Sequence, residues 1–298
     1  MYFIENELFK VEINETGGAM ASIYDKVNRT SLMYSKDERS WQGTDVVIFP
    51  FIAALKDKKY LVNGKEYSLK NHGIIRYEKV SVKENLGNKL ILEFNSSEKT
   101  IKDLYPFKFH FEVCYELNSN ELNISYLIKN SDCCDMYFSV GGHPAIKTSG
   151  FETKEGFEFE NTKLIFNDFI KTKRFILNEA GNLITGCEDV VLDKEINLNK
   201  KMITDSKTLI YDAKDIKNVT LLTNGYSFTF DVSKALVLAI WTWPGFGDYV
   251  CVEPWWGIPD YDNPKLELRD KPYIQSLKSG CVFNTGYSIK INKINFYL

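Results

Sequence analysis

Apolar and polar side chains alternate with a period of two through much of this chain. Phe9, Val11 and Ile13 alternate with Lys10, Glu12 and Asn14, and Phe107, Phe109, Phe111 and Val113 with Lys108, His110 and Glu112. Ile124, Tyr126 and Ile128 are set against Asn123, Ser125 and Leu127, and Tyr226, Phe228, Phe230 and Val232 against Ser227, Thr229 and Asp231. Successive side chains of a strand point to opposite faces, so each run predicts an antiparallel strand with one face on a core. Turn residues separate the runs at Asn63-Gly64, Asn118-Ser119-Asn120, Asn224-Gly225 and Lys278-Ser279-Gly280. Asn63-Gly64 lies between Tyr60-Leu61-Val62 and Glu66-Tyr67-Ser68 and predicts a two-residue hairpin. Helical periodicity is scarce, with short helical turns expected at most in 35–42 and 212–218. No linker, low-complexity tract or fixed repeat divides the chain. Residues 1–298 therefore read as one all-β domain, a large sandwich or barrel.

Composition strengthens that picture. The 20 Phe and 17 Tyr suit a pleated, half-buried surface. A formal charge of −3, with both signs dispersed, offers no basic stripe for nucleic acid or an anionic membrane. The first residues, Met-Tyr-Phe-Ile-Glu-Asn-Glu-Leu, lack the basic and apolar segments of a secretory signal. No stretch approaches the roughly 20 apolar residues of a membrane helix. Six cysteines, at 114, 133, 134, 187, 251 and 281, match no zinc spacing. Free, mostly buried thiols in a reducing compartment are expected, which points to the cytoplasm.

Candidate chemistry rests on few residues. Of three histidines, His110 falls on the polar face of its strand and reads as a solvated surface residue. His72 lies in Asn71-His72-Gly73-Ile74-Ile75-Arg76, just after the hairpin. His143 lies in Ser139-Val140-Gly141-Gly142-His143-Pro144-Ala145, where two glycines and a proline suggest an irregular backbone that aims the imidazole. Four of the five tryptophans cluster in 241–256, around Glu253. A carboxylate in such surroundings is either paired for structure or tuned for proton transfer. The tryptophans either stack on the C–H face of a sugar or serve as core or interface aromatics. No phosphate loop, His-x-x-x-His, Gly-x-Ser-x-Gly or acidic metal cluster occurs, so no nucleotide, metal or serine nucleophile is expected.

These segments resemble, in order and approximate spacing, those of the aldose 1-epimerase (galactose mutarotase-like) family. Asn-His-Gly-Ile-Ile-Arg is similar to its His-Gly-(aromatic)-Ala-Arg segment. Phe-Ser-Val-Gly-Gly-His-Pro-Ala resembles Gly-Gly-His-Pro of the LacX-like branch, and Val-Cys-Val-Glu-Pro-Trp-Trp-Gly resembles that branch's Cys-(Ile/Leu)-Glu-Pro-Trp. The resemblance implies a large antiparallel β-sandwich of the galactose mutarotase-like (supersandwich) type, with few short helices and a sugar cleft on one sheet. It implies an isomerase without cofactor or metal that interconverts the α and β anomers of a hexose. Glu253 then matches the catalytic base and His143 the catalytic acid. His72 and Arg76 match substrate-binding positions, joined by Trp241 and Trp255 as aromatic surfaces. Asp205 lies near the place of the family's sugar-binding aspartate, where Lys207 aligns at least as well. Two departures stand out: Ala53-Ala54 replaces a frequent Gly-Arg, and Ile74 replaces the aromatic. They keep open a carbohydrate-binding or regulatory protein of weak or lost turnover, and a sugar-phosphate 1-epimerase with Arg76 at the phosphate.

Overall fold

The computed structural model describes residues 1–294. The predicted alternating runs form strands Phe9–Ile13, Phe109–Asn118, Glu121–Asn130 and Tyr226–Asp231, and in each the apolar set is the buried one. Asn63-Gly64 joins strands Lys59–Val62 and Lys65–Ser68 with φ of 50° and 77°, and Asn224-Gly225 turns Asn218–Thr223 into Tyr226–Asp231 with φ of 54° and 73°. These paired positive φ values match the twist of the flanking strands, which is why the two dipeptides were legible as hairpins.

Two large antiparallel sheets pack face to face. The nine-stranded sheet contains Phe109–Asn118, Glu121–Asn130 and the long strand Val282–Lys293 as neighbours. The seven-stranded sheet contains Leu209–Asp212, Val237–Trp241 and Tyr249–Trp256. One apolar cluster fills the space between, taking Leu92, Phe109, Phe111 and Val113 from the first sheet and Leu238, Ile240, Val250, Val252 and Trp256 from the second. Each such side chain, fully withdrawn from water, contributes about 1.5–3 kcal/mol. Four short N-terminal strands add Ile4, Val11, Ile13 and Ile23 to the same core.

The two six-residue helices, Glu98–Asp103 and Lys200–Asp205, fall outside 35–42 and 212–218. Each starts at a cap: Ser97 Oγ accepts from the Thr100 N–H, and Asn199 Oδ1 from the Met202 N–H. Residues 35–42 are instead turned by side chains, with Asp37 accepting from the Arg39 N–H and Gln42 donating to the Asp37 and Ser40 carbonyls. Among the described residues no helix is long and apolar enough to cross a membrane. All six cysteines are free, but the expectation that most are buried fails. Only Cys251 is buried, Cys114 is half-buried and the other four are exposed.

The far face of the seven-stranded sheet has a cover of its own. Phe175, Ile210, Val237, Ala239 and Trp255 pack there beneath Val46, Ile48 and Ile52. The covering segment is tied to the sheet through reciprocal backbone bonds between Ile48 and Gly141 (2.9 and 3.2 Å) and one from Ala145 to the Thr44 carbonyl (2.9 Å). This covered face carries the candidate site.

Candidate active site

Strand Tyr249–Trp256 is buried along its whole length. Its alternation sends Val250, Val252 and Trp256 into the main core, and Cys251, Glu253 and Trp255 to the covered face. Directly across from Glu253 stands Ala239, which puts only a methyl group beside the carboxyl. Glu253 is 1% exposed, and its Oε2 has no hydrogen-bond partner. Burial pushes its pKa well above the usual carboxylate range. The Trp255 indole counters this in part, although its Nε1 makes no hydrogen bond of regular geometry, and the negative charge of Asp45 adds to the upward push.

His143 reaches Glu253 because the strands on either side of it, Val140–Gly141 and Ala145–Lys147, both pair with Tyr249–Trp256. The segment 142–144 is irregular, as expected, although neither Gly141 nor Gly142 has positive φ. They permit close approach: a β-carbon at Gly141 would lie 2.7 Å from Trp255 Cδ1, and one at Gly142 would collide with Tyr287. The buried carboxylate of Asp45 accepts from the backbone N–H of His143 (3.1 Å) and of Met20 (3.0 Å), fixing the loop. Burial raises the Asp45 pKa to about 6, against the lowering effect of those N–H donors.

In this setting His143 Nε2 lies 3.3 Å from Glu253 Oε2, and His143 Nδ1 is buried without a partner. Burial lowers the His143 pKa to about 3, with the nearby Arg76 charge acting in the same direction. The imidazole packs against two tryptophans that also touch each other: Trp41 is tilted 32° at 4.9 Å, and Trp241 meets it edge-on at 5.4 Å.

His72 stands 5.4 Å from His143, ring centre to ring centre, at 81°. It has a positive φ of 64° and is bracketed by Ala53: its N–H donates to the Ala53 carbonyl (2.8 Å), and the Ala53 N–H donates to its Nδ1 (3.3 Å). An accepting Nδ1 leaves the proton of a neutral imidazole on Nε2. Burial, then the neighbouring His143 and Arg76, hold the His72 pKa well below its ordinary value. Ala53 itself has φ 50°, so the first alanine of the departure stands in a backbone conformation that suits glycine, at a cost of about 1 kcal/mol. Ala54 is buried, and its carbonyl accepts from the Asp260 N–H.

Arg76 is half-buried in the short turn Ile75–Tyr77 and has no carboxylate partner among the described residues. With Lys36, Gln42, Thr44 and Asp45 it lines a cavity of about 400 Å³. Trp241 is half-buried and Trp255 buried, both on the covered face. Asp205 is not part of this cluster. It pairs with Lys201 on the surface and lines a separate 320 Å³ depression with Arg174, Phe175 and Lys207. Phe175 is three strands from Glu253 across the sheet, roughly 14 Å at ~4.8 Å per strand.

Two residues at the site, Trp41 and Asp45, went unremarked in the sequence, and a third, Cys251, was noted there only as a free thiol and as part of a motif. Trp41 is the tryptophan outside the 241–256 cluster, yet it is the one stacked on His143. Asp45 signals only as an acid heading the apolar run Val46-Val47-Ile48-Phe49. Cys251 shares a strand face with Glu253, a relation that period-two counting contains.

The family described as aldose 1-epimerase matches residues 1–242. The chain belongs to the aldose 1-epimerase family. The matched span includes His72, Arg76 and His143 and ends before the strand of Glu253. Solved structures extend the likeness to nearly the whole chain. A galactose mutarotase related enzyme from Lactobacillus acidophilus is 28% identical, with 99% of this chain and 98% of that one covered at a TM-score of 0.89. A galactose mutarotase-like protein from Lactobacillus casei is 24% identical, with 98% and 100% covered at a TM-score of 0.90. A galactose 1-epimerase from Lactobacillus acidophilus, at 14% identity, shares the fold over 98% and 94% of the chains with a TM-score of 0.66. No curated protein sequence matches the chain. The sandwich is of the galactose mutarotase-like type, and membership makes this epimerase-family chain an isomerase of sugars.

Proposed function

We propose that the protein interconverts the α and β anomers of an aldohexose, with Glu253 and His143 as the proton carriers. The observation that carries this reading is the 3.3 Å approach of His143 Nε2 to Glu253 Oε2 among buried polar atoms without partners. Half-buried His72, Arg76, Trp41 and Trp241 surround the pair, so a sugar approaching it meets both hydrogen-bonding groups and aromatic faces.

Ring opening breaks the C1–O5 bond and makes C1=O1. The O1 proton passes to a base while O5 gains one from an acid. Rotation about C1–C2 and reclosure on the other face reverse those transfers. The Glu253–His143 pair needs one proton in total, held as carboxylic acid with imidazole or as carboxylate with imidazolium. Burial of the empty site favours the uncharged form. A bound sugar, donating its O1–H to the carboxylate and accepting at O5 from the imidazolium, draws the pair towards the form in which Glu253 is base and His143 acid. Both tautomers have the same net charge, so the exchange needs no further ion, and each group takes both roles over a full cycle. His72, with its proton on Nε2, donates a hydrogen bond to a sugar oxygen. Residues of this chain supply every proton step, which supports a cofactor-independent reaction, and six free thiols fit a cytoplasmic location.

A second reading, a sugar-phosphate 1-epimerase, has support from the cavity in which Lys36 and Arg76 converge. One experiment separates the two. NMR exchange spectroscopy on aldoses and their 6-phosphates should show anomer exchange above buffer for the free sugars, abolished in Glu253→Gln. Exchange confined to the phosphates would favour the second reading. Sugar binding without exchange would leave a carbohydrate-binding protein.

A further inference from the structure

The proton-carrying pair has a third neighbour on its strand. His143, Cys251 and Glu253 are all buried, and one ligand atom from each lies within 4.8 Å of the others. Imidazole, thiolate and carboxylate form a donor set suited to zinc and to the softer divalent ions. One of the three ligand separations already matches what such an ion needs, and the other two lie within 4.8 Å. A tetrahedral centre with bonds of about 2.0–2.1 Å separates its ligand atoms by about 3.3 Å, and Nε2 and Oε2 already stand 3.3 Å apart. The carboxylate oxygen facing the imidazole is buried without a hydrogen-bond partner, so a ligand there displaces no existing bond.

We infer that His143, Cys251 and Glu253 form a three-ligand site for Zn²⁺, and that the ion inhibits the protein by occupying both proton carriers. The inhibition rests on the epimerase reading above, whereas the binding of the ion does not. Charge favours the complex. On binding, the divalent ion displaces one proton from the thiol and one from the carboxyl–imidazole pair, both of which leave for solvent, and the assembly of ion, thiolate, carboxylate and imidazole carries no net charge. It therefore avoids the desolvation cost of an unpaired ion in this dry setting. With Glu253 Oε2 and His143 Nε2 bound to metal, neither can exchange a proton with a sugar.

The test uses the full chain with Cys133→Ser and Cys134→Ser, which removes the exposed adjacent thiols as a rival site. Mutarotation is followed as Zn²⁺ is added, and Co²⁺ is used as a spectroscopic stand-in. The expected result is inhibition that saturates near one Zn²⁺ per chain, is reversed by EDTA and is not produced by Mg²⁺. Co²⁺ should give a thiolate-to-cobalt charge-transfer band with the intensity of a tetrahedral site. Cys251→Ala should raise the Zn²⁺ concentration for half-inhibition, relative to its own uninhibited rate, by about 100-fold or more, since even outer partners of a metal ligand are worth 10–100-fold. If Cys251→Ala does not fold, His143→Gln should weaken the cobalt band to the same degree. A band that survives either change, or zinc inhibition unaltered by Cys251→Ala, overturns the site. A cobalt band with no mutarotation in any metal-free sample would sink the epimerase reading and leave the site standing.

Discussion

Two histidine–glutamate pairs occupy opposite outer faces of the sandwich, and they differ in how well their polar atoms are satisfied. His110 and Glu112, on the nine-stranded sheet, are 2.6 Å apart, and Glu112 is itself buried. Lys83 caps Glu112 at 2.5 Å, and Asn95 Oδ1 takes the other ring nitrogen of His110 at 2.9 Å. Burial pulls the Glu112 pKa up, but the hydrogen bonds from Lys83 and His110 outweigh it and hold the carboxyl below its usual range. His143 and Glu253, on the seven-stranded sheet, have no such attendants, and burial outweighs the hydrogen-bonding effects that oppose it. The same two side-chain types thus give a contact with its polar atoms satisfied in one place and one with polar atoms left unpartnered in the other. Supply of partners decides between them, more than burial does.

Breaking each pair should expose that difference. Glu253→Gln is expected to lower catalysed mutarotation by about 10²–10⁴-fold, the range for one positioned acid–base group, whereas Glu112→Gln should leave the rate within about twofold. Polarimetry on both variants checks this, and equal losses would end the contrast.

Thermal stability should respond in the opposite sense. The folded-state pKa of Glu253 lies above its ordinary 4.5, so the native state holds the proton more tightly and stability falls as pH climbs above that value. His143 is displaced downwards, from 6.5 to about 3, so stability also falls as pH drops through that interval. Glu253→Gln cannot titrate and is expected to melt above wild type at pH 8, with the gap closing towards pH 4. A calorimetric series across that range would detect it.

The support beneath His143 offers a smaller effect. Asp45→Asn replaces one of two anionic acceptor oxygens with an NH₂ group and leaves one buried N–H, of Met20 or His143, without its acceptor. Destabilisation of about 1–3 kcal/mol is expected in denaturant titrations, with a fall in kcat larger than any change in KM. Smallest of all, Ala53→Gly relieves a left-handed alanine and should stabilise by less than about 1 kcal/mol, because the freer unfolded chain offsets part of the gain.

The sandwich was legible because strand burial has period two and its tight turns use Asn-Gly, both local signals. His72, His143 and Glu253 were legible through their flanking motifs. Asp45 and Trp41 were not, since their roles exist only after folding: Asp45 meets His143 across 98 residues of chain. The solvation expected of His110 is only partial, for a related reason. Its face was read correctly, but the cross-strand neighbours Asn95 and Glu93, and Lys83 beyond them, partly cover it. The two helices were missed because single side chains, Ser97 and Asn199, start turns too short to show a period. Asp205 was placed by alignment alone, and the helix Lys200–Asp205 carries it to another surface, where it pairs with Lys201.

Gly142 has a bearing on biosynthesis. Its lack of a side chain lets the segment bearing His143 press on Tyr287, in a strand that the ribosome makes more than a hundred residues later. A nascent chain stalled before that strand therefore lacks the ring against which Gly142 packs. The backing that Tyr287 gives to this segment is available only once strand Val282–Lys293 has been made and paired.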